Sequence, residues 1–329
     1  MSIHFLSAEQ VDARAWDAAV LAGTGNVTQL HAYGELGGSR RRPLYVEIRA
    51  GDQVRLRWLM YLFEPLPGLR MLEVKSEPAL GYEKPELLRD VLDAACAEFS
   101  PFRLRFYDMV LSRYAEQSLF STGGYQTVLH FGSIVLELQQ GEAALRAALQ
   151  KKMRNRINKA EKSGLRLEQD SSHRGLQRLY PLLEQTLGRS GVAPPAYDYI
   201  AKHVDLLCAA GHARLYFAVA EGRDHGASME LVTPKLGLGW LGATADDALT
   251  GCSNFMQWEI IRQLAAEGVE RYDLGGVDPE APEGSKGASI LAAKRKYGGE
   301  LVHCWGGTRN LQPVRAAMFD LIQRLRGRH

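Results

Sequence analysis

The sequence predicts a duplicated α/β protein, each half a mixed sheet with helices packed against it. Three observations predict it. Both halves carry the same order of apolar segments, strand–strand–strand–helix–strand. The strand segments alternate apolar and polar residues about glycine turns, whereas the helical segments repeat at steps of three and four. At 329 residues the chain is also long for one compact core.

In the first half, "LYVEIRAGDQVRLRWLMYL" from Leu44 reads as two strands about a turn at Gly51. "LRMLEV" is a third strand and "PELLRDVLDAACAEF" an amphipathic helix. "LRFYD" closes the half at Asp108. In the second half, "LYFAVAEGRDHGASMELV" from Leu215 repeats the hairpin, with its turn at Gly222. "LGWLGA", "NFMQWEIIRQLAAEG" and "ERYDL" follow, the last reaching Asp273. The expected domains are residues 1–140 with a terminal helix over 312–329, and residues 141–311. "GSIVLELQQG" ends the first domain, and "VRAAMFDLIQRLRGRH" is expected to pack back on it.

A net charge of +2, with 46% hydrophobic and 24% charged residues, is ordinary for a globular protein and demands no nucleic-acid partner. No basic-then-apolar leader and no run of about 18 apolar residues is present, so a cytoplasmic protein without signal peptide or membrane span is expected. The four cysteines, Cys96, Cys208, Cys252 and Cys304, form no C-x-x-C and are expected as reduced, mostly buried thiols. The nine histidines show no metal spacing. No cofactor is expected.

Charge is nonetheless concentrated in "QKKMRNRINKAEKSG", which holds six cations against one anion. Leu149, Met153, Ile157 and Ala160 fall on one helical face, which should be buried. A rotation of about 100° per residue puts Lys151, Lys152, Arg156, Lys159 and Lys162 on one arc, with Arg154 pointing elsewhere. Gly164 is the expected stop. Such a face is either solvated or a surface for phosphates, which would supply the negative charge that interspersed carboxylates normally give.

Most catalytic motifs are absent. "GLGWLG", Gly237 to Gly242, matches G-x-G-x-x-G but opens no helix, so it reads as a glycine-relaxed strand. No G-x-S-x-G or H-E-x-x-H is found. The [RQ]-x-x-G-x-[GA] cradle for the coenzyme A pyrophosphate is also missing; the second-half helix opens instead on "LTGCSNFMQW". Residues 275–287 read as a long Gly/Pro/acid loop, followed by a short helix carrying Lys294, Arg295 and Lys296. A lysine there can neutralise a phosphate or an oxyanion.

Four segments then resemble one family in order along nearly the whole chain. "QLHAYGEL" resembles its N-terminal Gln…aromatic entry, "QKKMRNRINKAEKSGLRL" its basic signature, "WEIIRQLAAEGVERYDLGGVD" its helix–strand–Asp-x-Gly-Gly signature and "AAKRKYGGELV" its lysine signature. The chain is similar to the Fem-type peptidyltransferases. The resemblance implies two tandem acetyltransferase-like (GNAT) domains with mixed, mostly antiparallel sheets flanked by helices. It implies transfer of an amino acid from aminoacyl-tRNA, the donor, to the side-chain amine of a UDP- or lipid-linked peptidoglycan precursor, the acceptor. A lipid-linked acceptor implies a peripheral approach to the inner membrane surface.

By the resemblance, Lys294 and Asp108 are the expected catalytic pair, Lys294 at the reaction centre and Asp108 as proton acceptor. Arg189, Tyr197, Tyr199, Asp273, Gly275 and Gly276 are expected to bind substrate. Lys151, Lys152, Arg154, Arg156 and Lys159 are expected to meet tRNA or diphosphate. Ala293 replaces a usual Phe, Met109 a usual Pro, and Gly37 or Gly38 occupies the place of a frequent lysine. Two rival readings are an acyl-CoA-dependent N-acyltransferase of polysaccharide or lipid metabolism, and a non-catalytic RNA-binding module.

Overall fold

The computed structural model describes residues 1–81, 85–106, 124–125 and 127–325. The elements run β1 (Ser2–Leu6), α1 (Ala13–Ala22), α2 (His31–Glu35), β2 (Arg41–Ala50), β3 (Gln53–Leu66), β4 (Leu69–Val74), α3 (Pro85–Phe99) and β5 (Arg103–Phe106). They continue β6 (Thr127–Glu137), α4 (Glu142–Ala148), α5 (Lys151–Lys162), β7 (Arg166–Gln169), α6 (His173–Gly188), α7 (Tyr197–His203), β8 (Ala213–Ala220), β9 (Arg223–Val232) and β10 (Leu236–Thr244). Last come α8 (Cys252–Ala266), β11 (Arg271–Val277), α9 (Lys286–Arg295), β12 (Glu300–Asn310) and α10 (Pro313–Leu325). Residues 1–131 and 303–329 form one compact unit and residues 132–302 the other. The division falls inside β6 and β12, whereas the sequence placed its breaks near residues 140 and 311.

In the first unit the strands lie in the order β1-β2-β3-β4-β5-β12. All neighbours are antiparallel except β4 and β5, which pair in parallel as far as Val74 and Phe106, the last residue of each. Leu87, Leu88, Val91, Leu92 and Ala95 of α3 pack with Val46, Trp58, Met60 and Leu72, as the amphipathic repeat requires. The "QLHAYGEL" entry holds the fold. Gln29, fully buried, accepts from the Leu59 N–H at 2.7 Å and donates to the Ser76 hydroxyl at 2.9 Å. Terminal helix α10 is anchored in this unit: Phe319 lies 5.4 Å from Phe102, and Arg103 donates to both Asp320 oxygens at 2.9 and 2.7 Å.

In the second unit the order is β6-β11-β10-β9-β8-β7. β8-β9-β10-α8-β11 repeats β2-β3-β4-α3-β5, again with a parallel last pair, here β10 and β11. Ala220 and Arg223 face each other across a two-residue turn in which Glu221 and Gly222 both have positive φ (52° and 74°), the turn that matches strand twist. α8 buries Phe255, Met256, Trp258, Ile260, Ile261 and Leu264 in one core with Leu149, Met153, Ile157 and Ala160. The buried face expected of the basic helix is therefore present, and "GLGWLG" is strand β10. The loop expected over 275–287 is shorter. β11 runs on to Val277 through a bulge at Gly275, and the Ser285 side chain caps α9 by accepting from the Ala288 N–H at 3.1 Å.

Candidate functional site

β10 and β11 part company early. Their parallel ladder covers only Leu236–Leu238 and Arg271–Asp273, although β10 continues to Thr244 and β11 to Val277. Both strands bulge at the parting: β10 carries Trp240 as an extra residue against β9, and β11 gains one between Asp273 and Gly276 against β6. A bulge strengthens local twist, which turns the strand ends away from each other. The opening lies at the carboxyl ends of two parallel strands, where open α/β sheets take ligands.

Asp273 and Lys294 stand at this opening. Asp273 is 1% exposed; its Oδ1 accepts from the Ser133 hydroxyl and from the Gly275 N–H at 2.7 Å, while Oδ2 is buried without a hydrogen-bond partner. Burial pushes its carboxyl up, and the Ser133 and Gly275 hydrogen bonds and the Lys294 charge pull it back. Half-buried Lys294 donates to the Gly276 carbonyl at 3.0 Å. Burial lowers its pKa, opposed by Asp273. Gly275 has φ of 84°, and a Cβ there would sit 3.3 Å from Lys294 Nζ. The glycine is thus required by backbone and by space.

A second buried carboxyl adjoins the same opening and was missed in the sequence. Glu230, fully buried on β9, accepts from the Tyr272 hydroxyl at 2.7 Å, and Tyr272 in turn accepts from Gln257 Nε2 at 2.7 Å. Burial pushes Glu230 up to about 7. The available signal was a lone carboxylate inside "GASMELV", an otherwise small and apolar strand. Gly239 lies beside this pair: a Cβ there would sit 3.2 Å from the Tyr272 hydroxyl and 3.6 Å from Glu230 Oε2.

The basic helix meets the lysine helix end to end. The N–H of Gln150, N-cap of α5, donates to the Lys296 carbonyl at the end of α9, 3.0 Å away. A Cβ at Gly298 would clash with the Ala148 carbonyl at 2.8 Å, so the join needs glycine. Lys151, Lys152, Arg156, Lys159 and Lys162 are exposed, and none makes an ion pair among the described residues. Arg154 differs, donating to the Ala147 carbonyl at 3.0 Å and to the Leu149 carbonyl. Its guanidinium terminates α4. α5 also presses on the start of α8, where a Cβ at Gly251 would lie 2.9 Å from the Arg156 carbonyl.

Arg189 closes α6 and binds Thr244 at the end of β10, through its carbonyl at 3.2 Å and its hydroxyl at 3.1 Å, and also pairs with Asp246. Lys286, at the start of α9, donates to the adjacent Ser190 at 3.1 Å. Tyr199 meets Trp240 edge-on at 6.2 Å, so it borders the β10 bulge. Tyr197 instead packs on Tyr180 at 5.1 Å. Asp108 lies outside the described residues. In the first unit, Lys75 follows β4 and lies 5.3 and 5.4 Å from the Tyr33 and Tyr61 rings; burial lowers it to about 8. It stands against the aromatic motif whose usual lysine is replaced at Gly37 or Gly38.

Among the described residues no group of His, Cys, Asp or Glu is placed to hold a metal, and no helix is long and apolar enough to cross a membrane. None of the four cysteines forms a disulfide, and burial raises Cys96 and Cys252 to about 11 and Cys208 to about 12, which makes these three poor nucleophiles at neutral pH.

Residues 147–284 match a family model described as "Acetyltransferase (GNAT) domain". Among solved structures, FemX superposes with a TM-score of 0.80 at 14% identity, over 97% of this chain and 99% of that one. L-PGS from Bacillus licheniformis gives 0.62 at 16% identity, over 97% and 98%. A tandem GNAT protein from the clavulanic acid biosynthesis pathway gives 0.55 at 12%, over 93% and 98%. No curated protein sequence matches the chain. The chain has a tandem GNAT-like fold, shared with FemX, as expected from the sequence.

Proposed function

We propose that the chain is an acyl- or aminoacyl-transferase of the Fem type. It moves an amino acid from aminoacyl-tRNA to an amine of a peptidoglycan precursor peptide, UDP- or lipid-linked. The observation that carries this is the junction of α5 with α9. The Gln150–Lys296 hydrogen bond ties a helix of unpaired cations to the helix that holds Lys294 at the strand opening. A phosphate-bearing donor is held by the first while its acyl carbon lies by the second. The similarity to L-PGS favours a lipid-linked acceptor, and that to FemX the peptidoglycan class.

The amine attacks as the neutral base. A C–N bond forms, the ester C–O bond to the tRNA ribose breaks, and the amine proton passes first to an acceptor carboxylate and from it to the departing ribose oxygen. The Lys294 ammonium stabilises the oxyanion, and Asp273, held by Ser133 and Gly275, keeps a negative partner beside it. Asp108 remains the candidate proton acceptor. Transfer is direct: no Ser/His/Asp or Cys/His nucleophile stands out in the sequence, and burial suppresses the thiols of Cys96, Cys208 and Cys252.

The acyl-CoA-dependent N-acyltransferase is the second reading, favoured by the "Acetyltransferase (GNAT) domain" match over residues 147–284. Against it stand the absent pyrophosphate motif and the close packing of α5 on the start of α8. The test incubates the protein with a charged tRNA mixture and UDP-linked muropeptide, and follows precursor mass. An added aminoacyl residue supports the first reading. Unchanged precursor together with calorimetric binding of acetyl-CoA establishes the second.

A further inference from the structure

Terminal helix α10 carries two apolar faces where one is enough to fold it. Ala316 and Phe319 are buried against the first unit, and the Arg103–Asp320 pair locks that side. On the opposite side Val314, Met318, Leu321 and Leu325 are 83%, 47%, 56% and 79% exposed. At about 100° per residue these four fall within an arc of about 60°. They make up half of the eight large apolar side chains found exposed among the described residues, so the exposure is concentrated rather than scattered. Exposed Arg315 and Arg324 flank the stripe on either side. The sequence adds Arg326 and Arg328 directly after it, and the only acid of the helix, Asp320, is already paired with Arg103.

We propose that this face of α10 docks the protein on an anionic phospholipid bilayer. An apolar stripe rimmed by cations, on a helix held rigidly from behind, is the pattern that sinks into an interface while its arginines meet headgroup phosphates. Two observations favour lipid over a second copy of this chain. The face is cationic on both rims, so a copy meeting it would bring like charge against like. The 13-residue helix also offers a strip of roughly 200 Å2, against about 800 Å2 per partner in a stable complex. The inference does not depend on the transfer reaction.

The experiment is co-sedimentation of the full chain with vesicles of equal phosphatidylglycerol and phosphatidylcholine, and with phosphatidylcholine alone, at 0.1 M salt. The expected result is binding to the anionic vesicles only. Leu321→Gln with Leu325→Gln should weaken it at least tenfold, and Arg315→Gln or Arg324→Gln about fivefold each. All four positions are exposed, so thermal melts of the variants should overlay the parent and exclude misfolding. Absence of binding, or equal binding to neutral vesicles, overturns the proposal. So does a dimer in sedimentation velocity that the leucine variants split, because a second copy would then be the occupant.

Discussion

The Tyr272 hydroxyl donates to Glu230 Oε2 at 2.7 Å and the Ser228 hydroxyl donates to Oε1, so two hydroxyls hold a fully buried carboxyl. Ser228 has one hydroxyl hydrogen but two acceptors within reach, Glu230 Oε1 and the Leu241 carbonyl at 2.9 Å.

This sets a pH dependence of stability. Glu230 is raised by burial from an ordinary 4.5 to about 7, so the folded state holds a proton that the unfolded state has lost. The contribution is complete below pH 4.5 and disappears as pH rises through 7, a loss of ~3 kcal/mol at about 1.4 kcal/mol per unit. Glu230→Gln keeps the neutral hydrogen-bonding pattern and should be flat over that range. Urea melts of parent and variant at pH 5 and pH 8 measure it. Identical pH dependence in both would exclude a protonated Glu230.

Lys294→Met should lower kcat about 100- to 1,000-fold, the usual cost of losing an oxyanion donor, with little change in KM for the donor. Because burial lowers the Lys294 pKa, its charge is lost earlier on raising pH than for an ordinary lysine. The parent rate should therefore fall on the alkaline side below pH 10.5, and the residual activity of the variant should lack that limb. A variant whose loss lies wholly in KM would make Lys294 a binding group.

Gly275→Ala combines a left-handed backbone with a methyl 3.3 Å from Lys294 Nζ. It should cost about 1–2 kcal/mol of stability and displace the ammonium from the Gly276 carbonyl, lowering kcat with it. Gly276→Ala is the control, since a Cβ there meets nothing within 4 Å and φ is not positive. It should fold as the parent does. Lost activity with intact stability at Gly276 would mark the path of the substrate, as the Asp-x-Gly-Gly signature implies.

The duplication was legible because it rests on local patterning: glycine turns at Gly51 and Gly222, alternating strands, and helices of the same length in the same place. The buried face of α5 was legible for the same reason, its spacing of three and four. Glu230 and Ser133 were not, because what makes them a site is long-range register. Ser133 reaches Asp273 only because β6 pairs with β11, and Glu230 reaches Tyr272 only across β10. The lower limit of the loop was misjudged because a strand bulge and a turn read alike in Gly275–Gly276, and the upper limit because Ser285, an ordinary N-cap, was taken as loop. Arg154 carries the charge of its neighbours; helical rotation set it off their arc, and its bonds to the Ala147 and Leu149 carbonyls, which the sequence did not reveal, show where it goes instead.

That separation gives the sharpest test of the basic helix. If α5 meets tRNA phosphates, replacing Lys152, Arg156 or Lys159 with Gln should weaken tRNA binding for all sequences alike. Each should also reduce the slope of log affinity against log salt by about 0.7–0.9. Stability should stay within ~0.5 kcal/mol, because these side chains are exposed and unpaired. Arg154→Ala should do the reverse. It orphans the Ala147 and Leu149 carbonyls, costing about 1 kcal/mol, and leaves the salt slope unchanged. Filter binding across a salt series, with melts on the same proteins, separates the two. If all four variants shift the slope equally, Arg154 leaves α4 to meet the RNA; if none does, α5 is a solvated face and the donor is held elsewhere.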